Sequence, residues 1–230
     1  MVSSKKTRSG VAEPHGAKRL SDVAYERILE HLFAKKLPAG AFVSQNQLVE
    51  MLDIPVAPLR DALRVLEVEG VLTIHPRSGI EFVKPGLELT RSTYQYRTIL
   101  ECAAVKVFAE TASDDEIAAL LAEHEALSEK IGRTGLDAEA LAEIEHLEAA
   151  LHDSIIGALG NPLINSGYKR MHHYLRLVRL ERKMTPPLAQ RSLQEHVAIL
   201  KACKARDADA AEEAVKAHFD AALRRHMGLY

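Results

Sequence analysis

The sequence predicts a mostly α-helical protein, with an N-terminal winged helix-turn-helix followed by an antiparallel six-helix bundle. Three observations predict it. Apolar residues recur at i, i+3, i+4, i+7 through most of the chain. One pair of short β-prone runs, flanking His75-Pro-Arg-Ser-Gly79, interrupts that periodicity once. After Pro85-Gly86 every segment is helical in pattern. The 230 residues suit one large domain or two small ones. The expected division is a disordered basic arm over 1–18, a winged unit over 19–86 and an all-α unit over 87–230.

Residues 1–18 are polar and lack periodicity. Structure is expected from near Asp22, where Tyr25, Ile28, Leu29 and Leu32 form one helical face that stops before Pro38-Ala39-Gly40. Ser44-Gln-Asn-Gln47 reads as a capping box opening a short second helix with Leu48 and Leu52 inward. Asp53-Ile54-Pro55 is a tight break. A third helix follows, carrying Leu59, Ala62, Leu63 and Leu66 on one face and ending at Gly70 in a left-handed cap. Leu72–Val83 then supplies a hairpin. Three helices and a hairpin in this order are those of a winged helix-turn-helix.

The six bundle helices are expected over roughly 89–111, 114–131, 138–159, 162–184, 188–205 and 208–227. Ser113-Asp-Asp-Glu116 reads as a second capping box. Gly160-Asn161-Pro162 reads as a stop and restart, with Gly after one helix, Asn as the next N-cap and Pro in its first turn. Thr185-Pro-Pro187 and Asp207 mark the last two starts. Such helices with short loops make a bundle.

Composition excludes several classes. Charged residues break every apolar run, which rules out a membrane-spanning helix, and the basic N-terminus has no apolar stretch behind it, so a secretory signal is not expected. Cys102 and Cys203 stand far apart, against both a disulfide framework and a cysteine zinc site. A cytoplasmic protein follows as the expectation. The net charge of −2 divides unevenly: residues 1–86 carry 12 Lys and Arg against 10 Asp and Glu, and residues 87–230 carry 18 against 22. The sign suits nucleic-acid contact at the front.

In a helix-turn-helix the third helix enters the major groove. With the apolar stripe inward, Val56, Arg60 and Arg64 form the opposite one. Arg60 and Arg64 are candidates for guanine or phosphate contacts, because a guanidinium fork meets two acceptors at once. Gln45 and Asn46 are candidates for a phosphate or adenine edge, and the wing tip His75, Arg77 and Ser78 for backbone contact. An ordinary solvated face is the alternative that these residues leave open.

In the bundle, Glu148 falls on the stripe of Leu141, Ile144, Leu151, Ile155 and Leu159, and His152 lies one turn further on the same face. His196 shares a stripe with Leu193, Leu200 and Cys203, and His218 with Ala211, Ala214, Val215 and Ala222. An ionised carboxylate in a core is costly unless paired or metal-bound. One inward Glu and three inward imidazoles suit a divalent transition metal. Hydrogen-bonded core histidines and a plain i, i+4 ion pair remain alternatives, since His124 and His172 also fall on apolar stripes.

Leu20–Val83 resembles the N-terminal domain of the GntR family of bacterial transcription regulators. The resemblance rests on Leu37-Pro-Ala-Gly40, Leu48-Val-Glu-Met-Leu52, Pro58-Leu-Arg-Asp-Ala-Leu63, Leu66-Glu-Val-Glu-Gly70 and the hairpin. The family pattern usually has Ser-Arg where this chain has Pro55-Val56, and often Arg or Glu in place of Asn46. One base-reading Arg is therefore missing, while Arg60 matches the second. Residues 89–227 resemble the helical effector domain of the FadR-type (FCD) branch, through Arg97-Thr-Ile-Leu-Glu101, His152 before Gly160-Asn161-Pro162, Glu195-His196 with Ile199, and Arg206-Asp207 leading to His218.

The resemblance implies a metal held by Glu148, His152, His196 and His218, with Glu148 in place of the branch's usual Asp. Zinc is the first choice, with nickel, manganese and iron as alternatives. It also implies a small carboxylate effector bound by Arg97, with Arg176 as a second anchor; His124 and His172 are further candidates for lining its cavity. Sugar acids, hydroxy acids and dicarboxylates are the suited ligands. Aromatic residues are only 5% of the chain and Trp is absent, so a large stacked ring is not signalled. The expected protein is not an enzyme. It is a metabolite-responsive regulator, a repressor by preference, which binds a palindromic DNA operator as a homodimer. A dedicated metal sensor and a helical-bundle metalloenzyme are the rivals. The paired Glu-x-x-His motifs of di-iron bundles are absent, and so are a nucleophile elbow and a phosphate-binding Gly-rich loop.

Overall fold

The computed structural model describes residues 18–37, 40, 42–180 and 183–228. The expected arm lies outside the described residues except for Lys18, and so do Pro38 and Ala39 of the first turn. The chain divides after Val83 into two compact units.

The first unit runs α1 (Leu20–Phe33), β1 (Phe42–Val43), α2 (Gln45–Leu52), α3 (Val56–Val68), β2 (Leu72–His75) and β3 (Gly79–Phe82). α1 buries Ala24, Ile28, Leu29 and Leu32, with Tyr25 half-buried at the edge of that face. Both arms of the Ser44–Gln47 capping box form and fix where α2 starts. Asp53, at φ 49°, turns the chain between α2 and α3. α3 buries Leu59, Ala62, Leu63 and Leu66 against the rest of the unit, and Gly70 takes the left-handed position after it at φ 70°. Leu66 is wholly buried, as are Leu48, Leu59 and Phe82.

The sheet has one strand more than the sequence indicated. β1 pairs antiparallel with β3, Phe42 opposite Glu81 and Val43 opposite Ile80, giving the order β1-β3-β2. Two residues are too few to show alternation, so the strand has no signature of its own. Gly79 admits it: at φ +129°, a Cβ there would meet the Val43 carbonyl oxygen at 2.9 Å and the Phe42 ring at 3.0 Å.

The second unit is all helix among the described residues: α4 (Leu87–Thr111), α5 (Asp114–Thr134), α6 (Ala138–Gly157), α7 (Pro162–Arg179), α8 (Pro186–Lys204) and α9 (Ala208–His226). Caps set its boundaries. Asn161 accepts from the amides of Leu163 and Ile164, and Asp137 and Asp207 from those of Ala140 and Ala210. Ser113 accepts from the Glu116 amide, the single arm of the expected box that forms. α7 ends five residues before the expected boundary. Tyr94, Val105, Phe108, Leu151, Ile155, Leu200, Val215 and Phe219 build the main core. A second cluster joins α5, α6 and α8 through Leu127, Ile131, Ile144, Leu147 and Leu193. Leu141 is a correction. It is 38% exposed, in the first turn of α6 where it lines a cavity, and Leu147 is the buried partner of Ile144. No helix among the described residues is long and apolar enough to cross a membrane.

Gly79→Ala is expected to destabilise the winged unit by about 1–3 kcal/mol, read as an earlier first transition in urea unfolding. An unchanged transition would show that β1 does not constrain the wing.

Candidate functional site

Three bundle helices aim chemistry at one point. α6 carries Glu148 and His152 one turn apart, which places both on one face. α8 brings His196 and α9 brings His218. His152, His196 and His218 are 1–2% exposed. Their rings pack around one another, with centroids 5.3 Å apart for His152 and His196, 5.4 Å for His152 and His218, and 4.7 Å for His196 and His218. One ligand atom from each of the four residues lies within 4.8 Å of the other three. Two atoms about 2.0–2.2 Å from a common ion lie at most ~4.4 Å apart. Small side-chain movements therefore close the set.

Two imidazoles are already oriented. His152 Nδ1 hydrogen-bonds Glu101 Oε2, and His218 Nδ1 lies 2.9 Å from Glu195 Oε2. An ionised carboxylate only accepts, so each Nδ1 carries a proton, and in that tautomer of the neutral ring it is Nε2 that offers a lone pair. Both Nε2 atoms are buried without a hydrogen-bond partner, and so are both nitrogens of His196. Unsatisfied buried polar atoms are rare. A carboxylate behind the outer nitrogen is the usual support of a metal-bound imidazole, and the donor set suits zinc. The residues fit the group.

Each supporting carboxylate is itself held by arginine. Arg97 Nε donates to Glu101 Oε1 at 2.9 Å, Tyr168 donates to the same oxygen, and the Arg97 guanidinium lies 4.5 Å over the Phe219 ring. Arg225 reaches both oxygens of Glu195, at 2.5 and 2.8 Å. Glu148 Oε1 accepts from Arg179 Nη2 and lies 3.5 Å from Arg97 Nη1 and 3.7 Å from His152 Nε2.

These partners set the ionisation. Burial pushes the Glu101 carboxyl up, but His152 and Arg97 outweigh it and bring it down to about 2. Burial likewise opposes ionisation of Glu148, and Arg179 above all, then His152, His196 and Arg97, hold it well below the usual carboxylate range. Burial pushes His196 well down and the neighbouring His218 adds to this. Burial also lowers His218, against the Glu195 hydrogen bond. Low basicity keeps imidazole in its ligating, neutral form.

A cavity of about 430 Å³ opens beside the cluster, lined among others by Glu145, Glu148, Arg179, Lys183, His218 and Arg225. Arg97, the first expected anchor, is 1% exposed and lies behind Glu148. Arg176, the second, is exposed on α7 and is not part of this lining. Arg179 is the arginine of α7 that lines it, and three residues of helix rotate a side chain by about 300°. His124 is fully buried, its Nδ1 on the Leu120 carbonyl at 2.7 Å and its ring 5.2 Å from His196. His172 is half-buried against Tyr168 and 3.7 Å from Asp153.

Sequence reasoning missed Tyr168, Arg179, Glu195 and Arg225 as functional groups and read Glu101 only as the partner of Arg97. A signal existed for two. Arg225 lies seven residues after His218, and Arg179 continues the stripe of Tyr168 and Leu175.

On the winged unit Asn46, Arg60, Arg64, Arg77 and Ser78 are exposed and Gln45 and His75 are half-buried. Arg60 Nε donates to Gln45 Oε1 at 3.0 Å, which ties the start of α3 to the start of α2. Arg64 stands 3.6 Å from Asp61 on the surface, an interaction that leaves it available. His75 lies 2.8 Å from Glu81, and Arg77 turns the wing at φ 67°.

Comparisons with known proteins divide the chain at the same place. The FCD domain matches residues 92–221, and the bacterial regulatory proteins of the gntR family match residues 20–82. The HTH-type transcriptional regulator YdhC of Bacillus subtilis strain 168 is 23% identical over 85% of this chain and 86% of its own. Among solved structures, E. coli McbR/YncC aligns with a TM-score of 0.70 at 18% identity, covering 93% of this chain and all of that one. A GntR transcriptional regulator from Rhodococcus sp. RHA1 aligns with a TM-score of 0.72 at 18% identity, covering 91% and 98%. At such identities the likeness is one of fold.

Because Glu101 is ionised in the fold down to about pH 2, its contribution is fully present above its ordinary value of 4.5 and lost as pH falls from there towards 2. Glu101→Gln is expected to cost about 3–5 kcal/mol at neutral pH and to make the acid limb shallower in that window. Urea midpoints between pH 6 and 2 measure both, and a variant with the wild-type slope contradicts the assignment.

Proposed function

Because this chain belongs to the GntR family of bacterial regulatory proteins and carries an FCD domain behind its winged helix, we propose that it is a metal-dependent, metabolite-responsive repressor. Its families and relatives are transcriptional regulators, not enzymes, and its winged helix-turn-helix is a DNA-binding domain. It acts as a homodimer on a palindromic operator, since two-fold sites mirror two-fold proteins. Arg60 and Arg64 reach base edges or phosphates from α3, Gln45 and Asn46 from the start of α2, and His75, Arg77 and Ser78 from the wing. With Pro55-Val56 in place of Ser-Arg, reading of the groove leans on Arg60.

One observation carries the metal reading. Three buried imidazoles present free nitrogens to one point beside an ionised carboxylate, and two are braced from behind by Glu101 and Glu195. Glu148, His152, His196 and His218 hold the ion, which supplies a fixed double positive charge beside the cavity. Zinc suits three imidazoles and a carboxylate. A small carboxylate enters the cavity and, by binding the two states of the protein unequally, lowers its affinity for DNA. The cavity favours this over a dedicated metal sensor, which needs no room beside its ion.

Two outcomes test this. Metal-stripped wild type is expected to take up about one zinc per chain, and His196→Ala to bind it at least ~10-fold more weakly, as loss of a ligand or its support does. Undiminished zinc content in that variant rejects the ligand set. Against duplexes that the wild type selects from a random pool, Arg60→Ala is expected to lose about 1–3 kcal/mol, roughly 5–150-fold in affinity. Unchanged gel-shift affinity rejects the reading of α3.

A further inference from the structure

Two of the three clustered imidazoles are held from behind, His152 by Glu101 and His218 by Glu195. His196 is the exception. Both its nitrogens are buried without a hydrogen-bond partner. If one of them ligates an ion, the proton of the neutral ring sits on the other. That N–H then points into protein, where a donor left unmet is costly.

One buried group is placed to take it. His124 of α5 is fully buried. Its Nδ1 donates to the Leu120 carbonyl at 2.7 Å, so in the neutral ring Nε2 keeps a lone pair. That Nε2 is buried and has no hydrogen-bond partner. The ring lies against His196, with centroids 5.2 Å apart and planes crossed at 73°. Imidazoles joined by an N–H···N bond of about 3 Å have centroids roughly 5 Å apart, so a small turn of one ring forms the bond. N–H and lone pair each lie in their own ring plane, and the crossed arrangement therefore does not oppose it.

The surroundings give His124 this place and no other. It is outside the set whose ligand atoms converge, and it does not line the cavity beside them. Of the clustered imidazoles its ring meets His196. Packing fixes the pair across two helices: Leu127, one turn after His124, and Leu193, one turn before His196, belong to the same core cluster. Zinc with Glu148 and three imidazoles already has four ligands, the number a closed site takes.

Resting on the metal reading above, we propose that His124 is the positioning residue of the third imidazole, its Nε2 accepting the His196 N–H that faces away from the ion. Two imidazoles are then backed by carboxylates and one by a neutral ring. A neutral acceptor orients His196 without burying a further charge that would need a partner of its own.

The test is titration of the metal-free full chain with zinc against a competing chelator. His124→Phe keeps the ring and removes both nitrogens. It is expected to weaken zinc binding about 10-fold or more, as loss of a group behind a ligand does. The urea midpoint of the metal-free variant is expected to be unchanged or higher, because an unsatisfied buried nitrogen goes with the substitution. His124→Gln, whose amide oxygen accepts an N–H, is expected to bind zinc within ~3-fold of wild type. Should His124→Phe also lose stability, the Gln variant decides: zinc affinity close to wild type supports the proposal, and a loss equal to that of His124→Phe overturns it. Wild-type zinc affinity in His124→Phe overturns it as well. So does scalar coupling between His124 and an NMR-active cadmium isotope loaded into the wild type, since that makes His124 a ligand. In these cases the metal centre stands. A wild type that takes up neither metal overturns both readings.

Discussion

The bundle is organised around a constraint of charge. Arg97 and Glu101 are 1% and 0% exposed, and neither could be there alone, since an isolated buried ion costs several kcal/mol. Each is admitted by the other and by the groups that share them. Arg97 spans from Glu101 to Glu148, Tyr168 adds a hydrogen bond to Glu101, and Phe219 covers the guanidinium face. Arg225 and Glu195 repeat the device around His218. Carboxylates that serve only stability would be better replaced by apolar side chains of equal volume. These two each fix the orientation of an imidazole.

The fold was legible because it is built from strong local signals. Ser44, Asn161 and Asp207 cap where a capping residue precedes a periodic run, and Gly70 ends α3 where a left-handed residue is needed. β1 was illegible because its partner, not its own two residues, makes it a strand. In the site, Glu148 and the three histidines announced themselves as polar groups on apolar stripes. Arg179 and Arg225 gave only the weaker signal of sharing such a stripe. Arg176 and Arg179 both sit among charged and apolar neighbours, and only the pitch of α7 against the cavity decides which one lines it. Glu195 was hidden for the opposite reason. It sits beside His196 in sequence, yet it supports His218 on another helix.

The same network joins the functions of the second unit. Glu101 orients His152, Glu148 belongs to the proposed ligand set, and Arg97 touches both carboxylates. On the proposed function, metal and anion would share these partners, and linkage between two ligands is reciprocal.

The Glu at position 148 gains a physical reason from this geometry. The pattern that the chain resembles carries Asp there. In this protein one oxygen of the longer side chain meets Arg179 while standing 3.5 Å from Arg97 and 3.7 Å from His152. It thus lies between the guanidiniums and the imidazoles. An Asp at the same backbone position is one methylene shorter, so its carboxylate could not keep both sides in reach without movement of α6. Where α7 ends with Arg179 at the cavity wall, Glu lets one carboxylate both satisfy the buried arginine and stand beside the three nitrogens.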